Sequence, residues 1–328
     1  YPIHAYRDSR TQAGLRALED DPALLAKIYR ATGIPAVFYN TSLQLAETIQ
    51  THPAITSTAA RCLFLPDYFN FLLSGKMVNG QAIAGTAQLL DVKRESWSRS
   101  TLKHFGIPAK WFTPPQRSAT RLGTVRGIPA LKKTKVIAVP GQTGRGDYRP
   151  LINVIGLWLM EETLRDFQSR PTKASEWKKL IQAASSLPAP DALLDVQDPA
   201  FANPPSMRQA IDAQLKRRRL KPPTELVGYV RLICDSLGQG HADVIDVLSQ
   251  LSGRTFKRII MVGGGSRNGL LCQATADAAG LPVVSCELEG SAVGNIANQL
   301  IALKAVKNLA EFRGHLAKQL KTKIYRAR

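Results

Sequence analysis

Apolar positions recur at helical spacing over residues 21–30 and 41–50, with Pro22 and Pro53 at the edges of these runs, and predict two surface helices. Residues 60–73 are strongly apolar but broken by Pro66, and Ser74-Gly75-Lys76 then turns the chain. After Asn79-Gly80 comes a run of small residues, 83–90, suited to a packed interior or an interdomain surface. A short strand is predicted over 136–139, running straight into the glycine-rich stretch Pro140-Gly141-Gln142-Thr143-Gly144-Arg145-Gly146, which breaks any regular element. A domain boundary is placed there, giving domains 1–139 and 140–328.

Beyond the boundary, residues 153–167 read as a buried helix, 176–185 as a second, and 188–205 as an irregular loop. The strongest pattern comes late. A long amphipathic helix over 227–251 precedes an apolar strand, 258–262, then three glycines, a helix over 268–279 and a second strand over 282–286. That order predicts an α/β unit with a parallel sheet. No repeat of solenoid length stands out.

Composition changes this picture little. With 328 residues, 44% hydrophobic and 21% charged, the chain is of ordinary globular type and long enough for two domains. No stretch approaches the roughly 18 apolar residues of a membrane span, and Tyr1-Pro2-Ile3-His4 does not open a signal peptide, so a cytoplasmic protein without membrane attachment is expected. Cys62, Cys234, Cys272 and Cys286 are scattered without a C-x-x-C pair, which predicts buried reduced thiols and no structural metal. The net charge of +19 attracts polyanions in general. Its basic residues, however, fall in separate clusters (132–135, 216–221 and 318–328) without interleaved aromatics, a pattern of solvated surface more than of a specific nucleic-acid site.

Three glycines between an apolar strand and a helix permit close backbone approach, and a helix N-terminus offers unpaired N–H groups to a phosphate or a polar nucleoside. The same pattern serves a tight turn with no ligand. It is not G-x-G-x-x-G and lacks the lysine and serine of a P-loop.

Met261-Val262-Gly263-Gly264-Gly265-Ser266-Arg267-Asn268, followed by residues 270–277, resembles the adenosine-binding signature of the FGGY family of carbohydrate kinases. Glu289-Gly290-Ser291-Ala292-Val293-Gly294-Asn295-Ile296 is similar to the E-x-x-A-x-G-N run that follows it in the rhamnulokinase branch of that family. Residues 5–10, 65–69 with 73–76, and 153–159 match that branch in the same order. The resemblance implies an actin-like ATPase (ribonuclease H-like) two-domain α/β fold, and transfer of a phosphoryl group from ATP, with Mg2+, to L-rhamnulose. Another ketose or polyol kinase of the family, such as one for fuculose or xylulose, or a non-catalytic nucleotide- or sugar-binding protein, is the alternative.

The resemblance also assigns residues. Gly263, Gly264, Gly265 and Asn268 fall on the nucleotide side, as does Glu161, where the family has glutamine; Glu161 serves equally as a surface residue in a Glu161-Glu162 pair. Asn153 falls on the sugar side. Asp8, in Tyr6-Arg7-Asp8-Ser9-Arg10, lies near the sugar cleft in the family, or forms a structural pair with Arg10.

Two family segments have no counterpart, so the fold is expected to be incomplete. A family member begins with a strand and a turn that bind the triphosphate, and none precedes Tyr1. In the interior, the strand ending at Val139 should lead into a His-Asp-Thr segment bearing the catalytic base and then a phosphate loop; here Val139 meets Pro140-Gly141. No catalytic residue is therefore assigned. Asp147 is the acid near the junction, in the stretch where the family pattern resumes. The lost blocks would supply leading strands of both sheets and leave sheet edges open.

Overall fold

The computed structural model describes residues 8–117, 120–127, 135–137 and 152–328. The chain divides into two compact units, Tyr1–Arg149 and Pro150–Arg328. The boundary expected at 139/140 lies outside the described residues.

Unit 1 is mainly helical: α1 (Gln12–Glu19), α2 (Pro22–Thr32), α3 (Thr41–Thr51), α4 (Ile55–Thr58), α5 (Leu65–Ser74), α6 (Gln81–Ala84) and α7 (Arg99–His104). Two small antiparallel ladders accompany them, β1 (Leu90–Asp91) with β2 (Ser96–Trp97), and β3 (Arg121–Thr124) with β4 (Lys135–Ile137). The start of α2 is set by Asp21, whose side chain accepts from the Leu24 N–H, with Pro22 in the first turn; Gly33, at φ 68°, ends it. The small-residue run forms packed interior: Ala84, Ala87, Leu89 and Leu90 are buried with Phe64, Leu102, Trp111 and Phe112.

Asn79 knots this unit together. Fully buried, it donates to the Cys62 carbonyl (3.0 Å) and accepts from the Thr113 N–H (2.9 Å), and its own carbonyl accepts from the Gln116 N–H (2.7 Å). Next to it α5 is turned inside out. Its polar residues Asp67, Asn70 and Ser74 are buried, while Leu65, Tyr68, Phe69 and Leu72, spaced as one helical face, are exposed. Asp67 Oδ1 accepts from the Gly80 N–H at 3.0 Å, whereas Oδ2 is buried with no partner. Burial raises the Asp67 carboxyl from 3.8 to about 6, against the lowering effect of the Gly80 and Asn79 hydrogen bonds.

Unit 2 contains α8 (Trp158–Asp166), α9 (Ala174–Ser185), α10 (Met207–Arg217), α11 (Leu226–Ser252), β5 (Ile259–Val262), α12 (Gly269–Ala279), β6 (Val283–Cys286), α13 (Gly290–Ala302), α14 (Leu309–Gln319) and β7 (Thr322–Tyr325). The helix expected over 153–167 begins only at Trp158, because Gly156 takes φ 67° and ends the extended approach from Asn153. The strand–glycine–helix–strand pattern is present, and β5 pairs parallel with β6 from Ile259 opposite Val283 to Val262 opposite Cys286. The sheet is mixed, however, since β7 adds to β6 antiparallel.

The 27-residue α11 forms the spine, burying Tyr229, Val230, Ile233 and Leu237 in the main core with Leu159, Leu164, Phe201, Ile211 and Leu271. It crosses α12 at backbone contact: a Cβ on Gly238 would lie 2.6 Å from the Ala274 carbonyl carbon. Asn268 donates to Cys234 Sγ (3.5 Å) and His241 Nδ1 lies 3.0 Å from Thr275 Oγ1, fixing the two helices along their length. All four cysteines are free; Cys234, Cys272 and Cys286 are buried and Cys62 is half-buried. Burial pushes the Cys234 thiol up to about 12, so it behaves as an inert core group.

Two stability predictions follow from this packing. Gly238→Ala gains about 1 kcal/mol of helix propensity but drives a methyl into the α12 backbone. We expect a net destabilisation of about 1–3 kcal/mol, read as a lowered thermal midpoint; an unchanged or raised midpoint contradicts the close crossing. Asp67 holds its proton more tightly folded than unfolded, so its contribution is present below about pH 4 and is lost as pH rises through about 6. Relative to Asp67→Asn, the wild-type chain should lose about 2–3 kcal/mol between pH 4 and 7 in urea titrations, and parallel pH profiles would refute this.

Candidate functional site

The parallel strands β5 and β6 end together, and each leads into a helix from its carboxyl end. Open α/β sheets bind ligands at that end. After β5 the chain enters Gly263 at φ 75°, ψ −163°, a conformation that demands glycine, and makes a 3-10 turn over Gly264–Arg267 before α12.

The turn is held from below. Gly263 N–H donates to the Leu288 carbonyl (2.9 Å), and Ser266 Oγ donates to the Gly263 carbonyl (2.7 Å). Ser285 Oγ donates to the Ser266 carbonyl (2.6 Å). Above it there is room: a Cβ at Gly263 or Gly264 would meet nothing within 4 Å. At Gly265 a Cβ would reach Leu271 (3.8 Å) and Leu157 (3.9 Å), so the turn lies directly against the entrance to α8. At Gly290, the first residue of α13, a Cβ would reach Val262 Cγ2 at 3.7 Å.

The sequence candidates fall into distinct settings. Gly263, Gly264 and Gly265 form the turn. Asn268 caps α12, its Oδ1 accepting from the Leu271 N–H at 3.1 Å, and with its amide on Cys234 the side chain is committed to the protein. Asn153 is exposed, and its backbone carbonyl accepts from Gln197 Nε2 (3.0 Å). Glu161 lies on α8 and is paired with Arg170 Nε at 3.1 Å, which offsets its charge. In unit 1, Asp8 lies 3.3 Å from Arg10 Nε, and Arg10 also reaches Glu47 at 2.5 Å, so the Asp8–Arg10 pair is present. Val139, Pro140 and Asp147 lie outside the described residues.

Sequence reasoning missed the supporting serines. In the sequence Ser266 is one position of the glycine motif and Ser285 one of the predicted strand. Their signal is small size and a hydroxyl next to a glycine turn, a pattern common to many loops.

The sequence models of the FGGY family of carbohydrate kinases match residues 1–148 by the N-terminal domain and 145–303 by the C-terminal domain. The chain belongs to this family. FGGY members are ATP-dependent carbohydrate kinases, phosphotransferases acting on an alcohol group. A rhamnulokinase from Klebsiella pneumoniae (strain 342) is 32% identical over 361 residues, covering 94% of this chain and 72% of the relative. That alignment is longer than the chain, so the relative carries residues inside the aligned region that this FGGY chain lacks.

Among solved structures, ligand-bound xylulose kinase from Lactobacillus acidophilus matches with TM-score 0.73 at 14% identity, covering 99% of this chain and 75% of its own. Plasmodium falciparum glycerol kinase with ADP matches with TM-score 0.73 at 12% identity, covering 100% and 75%. These likenesses establish the FGGY sugar-kinase fold.

Adenine nucleotide fits the chemistry of the turn, with open space beside two glycines and helix N-termini at the ends of parallel strands. Among the described residues no cluster of three or more His, Cys, Asp or Glu could hold a metal ion. Magnesium ordinarily keeps several waters and binds through substrate phosphates with one or two carboxylates, so a dedicated protein cage is not required of this site. No described helix is long and apolar enough to cross a membrane.

A Cβ at Gly264 meets nothing within 4 Å, so a branched side chain there starts out in open space. Gly264→Val should therefore leave the thermal midpoint nearly unchanged and weaken ADP binding at least tenfold in calorimetry. Undiminished affinity in a folded variant places the nucleotide elsewhere.

Proposed function

We propose that the chain is the substrate-binding framework of an L-rhamnulose kinase, recognising ATP at the glycine turn after β5 and the ketose through Asn153, and that it does not turn over by itself. The observation that carries the sugar assignment is the 32% identity to curated rhamnulokinases across 94% of the chain, with Asn153 on the motif where that branch holds its sugar.

ATP supplies the γ-phosphoryl group, which in the family reaction passes with magnesium to the 1-hydroxyl of the ketose. The chain's own residues provide position. Gly263 and Gly264 leave the space for a purine nucleoside, Ser266 and Ser285 keep the turn rigid, and the Asn153 amide offers both a donor and an acceptor to sugar hydroxyls. Phosphoryl transfer also needs a base that orients the attacking hydroxyl. The sequence passes from Val139 to Pro140-Gly141 where the base-bearing segment of the family begins, which supports binding without turnover. The same reading carries a cytoplasmic setting as part of the proposal.

The test combines calorimetry with a coupled assay. ADP and L-rhamnulose should bind, Asn153→Ala should weaken L-rhamnulose by about 1–3 kcal/mol, and ATP with magnesium should give no turnover above background. Binding of xylulose or fuculose in preference to rhamnulose would reassign the sugar. Turnover that Asp147→Asn abolishes would make Asp147 the base and overturn the reading of the junction.

A further inference from the structure

Asn153 stands in a stretch, residues 152–155, that belongs to neither a helix nor a strand, so no ladder of regular hydrogen bonds fixes its main chain. Packing holds the far end of the stretch: Val154 and Ile155 lie against the main core, and a Cβ on Gly240 of α11 would come within 3.6 Å of Val154 Cγ1. The near end is looser. Ile152 lines a cavity of about 240 Å3 together with Val196, Gln197, Gln239 and Asp243, so packing leaves this part of the chain room to shift.

What reaches the Asn153 main chain is a side chain of the loop before α10. Gln197 Nε2 donates to the Asn153 carbonyl at 3.0 Å. The loop that carries Gln197 is itself clasped by two helices. Leu194 N–H donates to Ser236 Oγ on α11 (2.9 Å). Asp195 exchanges two bonds with the Gln214 amide on α10, its N–H donating to Oε1 (3.0 Å) and its carbonyl accepting from Nε2 (3.1 Å). Ser236 and Gln214 are both buried. Val196 Cγ2 would lie 2.7 Å from a Cβ on Gly240, so a glycine at that position of α11 is what lets the loop close on the helix. Gln197 N–H donates to Asp195 Oδ1 at 2.9 Å, which steadies the residue that makes the last contact.

The bonds of this chain differ in what their loss would do. Removing Ser236 or Gln214 leaves buried groups of the loop unpaired, a structural cost. Gln197 and Asn153 are both exposed, and water can satisfy each of them once the bond between them is gone. The fold does not need that bond, and its effect is on position.

We propose that Gln197 is a positioning residue for the sugar, setting the main chain of Asn153 so that its amide is already oriented when a ketose hydroxyl arrives. The inference rests on the reading of Asn153 as the sugar residue and adds the anchor that the motif around Asn153 does not contain. Preorganisation of this kind raises affinity, because the ligand need not order the residue that binds it. Gln197 acts through Asn153 alone.

Calorimetry on the full chain with L-rhamnulose, and with ADP as the second ligand, tests this through a double-mutant cycle. Gln197→Ala should weaken L-rhamnulose about three- to tenfold, the range expected for one hydrogen bond, with ADP affinity and the thermal midpoint unchanged. Gln197→Glu keeps the size but sets a carboxylate against the carbonyl, and should weaken the sugar at least as much. In the Asn153→Ala background, Gln197→Ala should cost nothing further, an outcome that a general structural role would not give.

Equal losses of L-rhamnulose and ADP, a full additive loss in the Asn153→Ala background, or undiminished sugar affinity in both Gln197 variants would overturn the positioning role and leave the sugar reading standing. A wild-type chain that does not bind L-rhamnulose, or an Asn153→Ala chain that binds it equally well, would overturn the sugar reading and the positioning role with it.

Discussion

Unit 2 depends on one close approach, the crossing of α11 and α12 at Gly238. A helix bearing any side chain there could not bring its axis this near, because the Ala274 carbonyl occupies the place of the Cβ. The proximity allows Asn268 to reach Cys234 and His241 to reach Thr275, so α12 is fixed in rotation as well as distance. Once α12 is fixed, so is its first residue, and with it the glycine turn pressed against Leu157 at the head of α8. The geometry of the candidate nucleotide site is thus a consequence of helix packing well below it.

Unit 1 relies on a polar device instead. Asn79 satisfies backbone groups of segments far apart in sequence, which a hydrophobic contact could not specify so narrowly, since apolar packing is non-directional. The price appears beside it in Asp67, whose second oxygen is buried without a partner. The outward apolar face of α5 and the strand β5 share a feature: each places large side chains in water where an ordinary domain would bury them. Both sit in a chain whose alignment with a relative outruns its own length.

The parts visible from sequence were those with a clean period. The apolar repeat of α11 and the strand, glycine turn and helix after it require no knowledge of the rest of the molecule. α8 was begun too early because 153–157 is apolar enough to extend the helical pattern, and only the positive φ of Gly156 breaks it. β7 lies within the basic cluster 318–328, where the lysines mask its alternation. The inversion of α5 was hidden for a deeper reason: its pattern is a correct amphipathic helix, and periodicity reports that two faces differ without saying which one the fold turns inward.

The same limit applies at the site. The motif pointed to Asn268 and the glycines alike, yet their roles separate once the packing is known. Asn268 spends its side chain on the helix cap and on Cys234, which holds the turn in place. Gly263 and Gly264 leave space beside the turn by having no side chain at all. A framework of this kind, rigid below and empty above, supports binding through preorganisation, since little must be ordered when a nucleotide arrives. Chemistry asks for more, because a phosphoryl group moves only when donor, acceptor and base are held together.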